Sequence, residues 1–205
     1  MEVSMNPKEY VKNVLVTEAR DMAPLQERFS QTRNIRLLHG AIGLASELAE
    51  SQELVEKQDI DVTNLKEEMG DMFWYMGIMV DELKVDPDTI FQFNDTDKIQ
   101  TSSANEARAM LQDQIHGLAK EIGTAIDLLK KAVMYGKQLD EAKLADRLRA
   151  IDYYVNRSLR IYGLTSAASR ERNIEKLRAR YGEKFTEAAA LERNLAAERQ
   201  ILEKS

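Results

Sequence analysis

Apolar positions recur along the chain every three or four residues, the spacing that turns one face of an α-helix towards a core. The cleanest stripe is Leu65, Met69, Met72, Met76, Met79 and Leu83. It predicts a helix that is capped by Asp61 or Thr63 and runs to about Leu83. VDPDT at 85–89 breaks that helix, because the residue before Pro87 is pushed out of helical backbone. Upstream, the pattern predicts helices over about 7–20 and 33–56, with a polar connection near 21–32. Downstream it predicts helices over about 105–134, 139–161, 166–181 and 184–203, with YGK at 135–137 and YG at 162–163 as stops. The polar run NDTDKIQTSSA at 94–104 is the one sizeable linker. With three prolines, nine glycines and no long β-branched run, the expected fold class is all-α, a helical bundle.

The pattern also repeats. GLASELAE at 43–50 resembles GLAKEIGT at 117–124. A constant offset of 79 pairs Asp61 with Asp140, Leu65 with Leu144, Trp74 with Tyr153, Tyr75 with Tyr154 and Asn94 with Asn173. An internal duplication is the expectation, with one half at 1–100 and a second at 101–205 that ends in a helical arm. Chance likeness between two amphipathic hairpins is the alternative.

Charge sharpens the division. The net charge of −6 excludes a general basic surface for nucleic acid, yet the first hundred residues carry −10 and the remainder +4. That suits a metal-binding half beside an anion-binding half. Cysteine is absent and there are only two histidines, His39 and His116, so any metal would be held by carboxylates. Such a donor set selects a hard cation, magnesium or manganese. The opening MEVSMNPKEYVK lacks the apolar core of a signal peptide, and no apolar run reaches membrane-spanning length. A cytoplasmic protein with no membrane partner is expected.

The candidate chemistry lies in two helices. Within LLHGAIGLASELA at 37–49 only His39, Ser46 and Glu47 are polar, so this helix is central and Glu47 at least partly buried. A buried carboxylate needs a cation or a proton. Glu50 follows three residues later on the same face. In MGDMFWYMGIMV at 69–80 the single ionisable acid is Asp71, with Glu68 three residues before it and Tyr75 four after. An acidic pair alone is usually a solvated helix face. Two such pairs inside apolar helices can instead converge on a divalent cation.

GLASELAE followed by KEEMGDMFWYM resembles the MazG-like nucleotide pyrophosphohydrolases, over roughly 33–85. NIEKLRARYGEKF at 173–185 is similar to the segment that closes many members, with Gly182 where proline is common. The resemblance implies a MazG-like four-helix core that hydrolyses nucleoside triphosphates to monophosphate and pyrophosphate, in nucleotide-pool trimming or cleansing. It implies magnesium on Glu47, Glu50, Glu68 and Asp71, with Glu47 or Glu50 as the catalytic base. It also implies a tyrosine near the nucleotide, at Tyr75. The second copy keeps only Glu121; Thr124, Arg147 and Ala150 stand at the other three positions. The expectation is therefore a fused pseudo-dimer with one active site.

Candidate anion contacts are Lys130, Lys131, Lys137, Lys176 and Arg180. Trp74 and Tyr75 could stack a base. Asn94 and Asn173 could bond a base or sugar, or cap helices. His39 and His116 fit core or interface positions better than catalytic ones. The all-α dimeric dUTPases resemble this plan, so dUTPase or dCTPase specificity stays open. So do a nucleotide-binding module without turnover, a helical adaptor, and assembly of several copies.

Overall fold

Most of the long helices start on a cap that their own sequence supplies; the helix over Thr32–Glu56 starts without one. Asp61 accepts from the backbone N–H groups of Thr63 (3.0 Å) and Asn64 (3.2 Å). Ser103, Asp140 and Thr165 do the same for the helices that follow. A cap of this kind contributes about 1 kcal/mol. The stops are equally local. Gly136 takes the left-handed backbone (φ 68°) that ends one helix, and Lys84 (φ 55°) ends another just before Pro87.

The computed structural model describes residues 5–18, 20–182, 186, 188 and 194–203, and all regular structure among them is helical. The order is α1 (Pro7–Thr17), α2 (Ala23–Ser30), α3 (Thr32–Glu56), α4 (Val62–Leu83), a 3₁₀ turn (Pro87–Thr89), α5 (Ala104–Tyr135), α6 (Glu141–Ile161), α7 (Ser166–Tyr181) and α8 (Leu195–Leu202). No helix among the described residues is long and apolar enough to cross a membrane.

Two expectations on elements change. The connection near 21–32 contains α2, which buries no residue and so leaves no apolar periodicity to detect. Pro24 in its first turn and the Asp21 carboxylate (3.2 Å from the Ala23 N–H) start it. Its Arg28 donates to the carbonyls of Val133 and Met134 at the end of α5. The helix expected over 184–203 is seen as α8 alone; most of 184–193 lies outside the described residues.

Helices α3 and α4 form one hairpin, α5 and α6 another, with α3 packed on α5 and α4 on α6. The predicted α4 stripe is buried throughout, from Leu65 to Leu83, and meets Leu37, Leu44, Leu111, Ile115, Leu148 and Val155 in one core. Helix α7 packs on α4, and α8 on both. The linker is not a gap between halves. Phe93 N–H donates to Asp152 Oδ2 (2.9 Å), Arg160 Nε to the Asp97 carbonyl (2.8 Å) and Ile99 N–H to the Arg160 carbonyl (3.0 Å). These bonds tie the linker to α6.

The two hairpins share local detail. A Cβ on Gly43 would lie 2.1 Å from the Tyr75 ring, and one on Gly117 would lie 2.3 Å from the Tyr154 ring. Asp61 and Asp140 both cap. Asn94 and Asn173 break the correspondence, since one lies in the linker and the other inside α7, and neither caps a helix. Close glycine–tyrosine contact makes a direct prediction. Gly43→Ala and Gly117→Ala should each destabilise by about 1–3 kcal/mol in urea unfolding, through overpacking. Gly123→Ala, where a Cβ meets nothing within 4 Å, should stabilise by up to about 1 kcal/mol.

Candidate functional site

His39, Gly43, Glu47 and Glu50 succeed one another at helical spacing and so share one face of α3. Opposite them α4 presents Glu68, Asp71 and Tyr75, and a cleft of about 520 Å³ opens between the two faces. Gly43 lets the Tyr75 ring lie directly on α3. Tyr75, Trp74 and His39 make edge-on contacts with centroids 5.0–5.8 Å apart, an aromatic wall on one side of the cleft. Burial, then the charges of Glu47 and Asp71, push the Tyr75 phenol up to about 12, so it keeps its proton and can donate.

Glu47, Glu50 and Glu68 each offer an oxygen within 4.8 Å of the other two. Glu50 is exposed, whereas Glu47 and Glu68 are buried, Glu68 to 3 % exposure. Burial pushes the Glu68 carboxyl up to about 9, helped by its hydrogen bond to Glu47 and the charge of Glu50. Burial also raises Glu47, to about 7, against the lowering effect of that same hydrogen bond. Carboxylates held this close require a shared proton or a cation. An all-oxygen donor set without histidine or thiolate fits a hard dication such as magnesium or manganese.

Asp71, the fourth expected ligand, does not join this group. Its Oδ1 accepts from Asn173 Nδ2 and its Oδ2 from Lys176 Nζ (2.6 Å). The fully buried Lys176 ammonium also reaches Glu67 Oε1 at 3.1 Å. Helix α7 therefore claims Asp71 and brings Asn173 and Lys176 to the site as its partners. Close approach is possible because Gly70 leaves room: a Cβ there would lie 3.1 Å from that of Asn173.

Arg180 lines the cleft and is bound by Glu198 of α8, with Nε donating to Oε1 at 2.9 Å and Nη2 to Oε2. Leu195, Glu198 and Arg199 of α8 form the far wall. Their presence could not be read from sequence, since they meet the cleft only by tertiary packing. His39, expected at a core or interface position, lines the cleft, eight residues before Glu47 on the same helical face.

The remaining candidates lie elsewhere. Lys131 and Lys137 line a different recess at the α5–α6 turn, and Lys130 and Lys131 both pair with Asp127 (2.7 and 2.6 Å). These three do not line the acidic cleft. Asn94 Oδ1 accepts from Arg170 (2.7 Å) and its Nδ2 donates to the Phe91 carbonyl, which braces the linker. His116 is exposed.

In the second hairpin Glu121 occupies the position that matches Glu47, and it is also buried. There Arg147 Nη1 donates to Glu121 Oε2 at 2.6 Å. A guanidinium neutralises this carboxylate where the first hairpin sets Glu68 against Glu47. Comparison with family models, curated proteins and solved structures finds no match to this chain.

Proposed function

We propose that the acidic cleft is the active site of a magnesium-dependent nucleoside triphosphate pyrophosphohydrolase. The convergence of Glu47, Glu50 and Glu68 between α3 and α4 is the observation that carries this reading. Magnesium bound by these three carboxylates would clamp the triphosphate and offset charge on the leaving pyrophosphate.

Water adds to the α-phosphorus, the α–β phosphoanhydride bond breaks, and nucleoside monophosphate and pyrophosphate leave. Glu50, the one exposed carboxylate of the three, orients that water and takes its proton. Lys176 and Asn173 hold Asp71 in a fixed orientation beside the site. Tyr75 donates from its protonated phenol, and the wall of His39, Trp74 and Tyr75 offers aromatic faces to the base. Arg180 binds a phosphate of the chain.

The two hairpins are, in the same proposal, halves of a duplicated unit. The second has exchanged metal chemistry for the Glu121–Arg147 pair, and its extension through α7 and α8 completes the cleft of the first. The pool role is trimming or cleansing of nucleotides, with a deoxynucleotide such as dUTP or dCTP among the expected substrates.

The test is pyrophosphate release from a panel of ribo- and deoxynucleoside triphosphates, with magnesium and with chelator. Magnesium-dependent release of pyrophosphate together with monophosphate is expected. Release of orthophosphate instead, or no turnover by the folded protein, would overturn the reading; in the second case tight nucleotide binding would mark a binding module.

A further inference from the structure

The ion pair between Arg180 and Glu198 lies in the wall of the cleft with side chains only 12 % and 5 % exposed. Glu198 is an odd choice for that place. It adds a carboxylate to a cleft already lined by Glu47, Glu50, Glu67, Glu68 and Asp71, where like charges repel. Nor is it the sole anchor of α8. Arg199 Nη1 donates to Asp61 Oδ2 (2.9 Å), Lys66 Nζ donates to the Leu202 carbonyl (2.8 Å), and Leu202 is buried in the protein.

What Glu198 does supply is a two-pronged anion for a guanidinium. Carboxylate and phosphate oxygens match the fork of an arginine in the same bidentate way. Leaving either partner buried without the other is costly, so the pair is best broken by exchange for another anion.

We propose that Glu198 is an internal stand-in for a substrate phosphate at Arg180, and that it sets the affinity of the cleft for phosphoanhydride chains. An incoming phosphate takes over Arg180, and Glu198 withdraws while Arg199 and Lys66 keep α8 near the cleft. Glu198 is then a specificity-determining residue, because short or weakly charged anions cannot displace it. The identification of the anion as a nucleotide's phosphate chain rests on the activity proposed above; the exchange itself does not.

The experiment measures binding of inorganic tripolyphosphate by calorimetry, in magnesium buffer, to the full chain and to Glu198→Gln. The variant keeps the size and polarity of the side chain and removes its charge. It should bind about tenfold tighter, the factor by which a competing closed state would lower apparent affinity. Adding Arg180→Met to Glu198→Gln should abolish the gain. In the unsubstituted protein, hydrogen exchange of the 195–202 amides should quicken when tripolyphosphate is added.

Equal or weaker binding by Glu198→Gln, or exchange in α8 that stays constant or slows on binding, overturns the proposal. Failure of both proteins to bind tripolyphosphate overturns it too. The expected binding pattern without any triphosphate hydrolysis would sink the enzyme and keep the exchange. Hydrolysis with no effect at Glu198 would do the reverse.

Discussion

Glu50→Gln should leave the protein folded and lower kcat for triphosphate hydrolysis by about 10²–10⁴-fold, the usual contribution of a positioned base. The side chain is exposed, so the substitution removes charge from the cleft while the buried core of α3 stays in place. Substitutions of this kind away from a core usually change stability by less than about 0.5 kcal/mol. Its oxygen lies within 4.8 Å of those of Glu47 and Glu68, so the loss should also weaken magnesium binding. Calorimetry with magnesium and single-turnover kinetics separate the two effects. Wild-type turnover in the variant would remove Glu50 from the chemistry.

The second large effect concerns pH and metal together. In the folded chain burial raises the Glu68 carboxyl to about 9 and Glu47 to about 7, against an ordinary value of 4.5 for each. Between those values the folded state binds protons that the unfolded chain has released, so unfolding free energy falls as pH rises. The penalty is absent below about pH 4.5, grows through the folded values, and is complete above about 9.

Metal-free protein should therefore lose stability from pH 5 to pH 9 by more than about 1.4 kcal/mol, the equivalent of one pKa unit. Magnesium should restore it and release protons on binding, because a cation replaces the shared proton. Glu68→Gln, which keeps the neutral hydrogen-bonding shape, should make the metal-free profile shallower, leaving the slope that the buried Asp152 contributes, and abolish the magnesium rescue. Denaturant curves at three pH values, with magnesium and with chelator, measure all of this. A profile in chelator that is level or rises with pH would show that these carboxylates do not share a proton.

Much of this was legible from the chain. The α4 stripe from Leu65 to Leu83 announced its helix, its buried face and, by exclusion, the acidic residues Glu68 and Asp71 that interrupt it. Asp61 and Gly136 marked boundaries because capping and left-handed backbone are local properties. Glu47 and Glu50 stood out for the same reason: a charge in an apolar helix is visible without knowing what faces it. Helix α2 escaped notice because it buries nothing.

Periodicity within the chain thus determined the helices, their inward faces and the acids that had to meet. Which partners meet those acids was decided only by tertiary structure. Asp71 was expected beside the acidic group, and the structure gives it two further partners, Asn173 and Lys176, more than a hundred residues away. Lys130, Lys131 and Lys137 were plausible anion contacts by charge, and packing leaves them at the α5–α6 turn, outside the lining of the acidic cleft. Glu198 and Arg199 carried no signal, yet they form a wall of the cleft. The physical reason is that burial within a helix is a one-dimensional property of spacing. The convergence of charges from α3, α4, α7 and α8 depends on how helices pack, and packing is settled by the whole core at once.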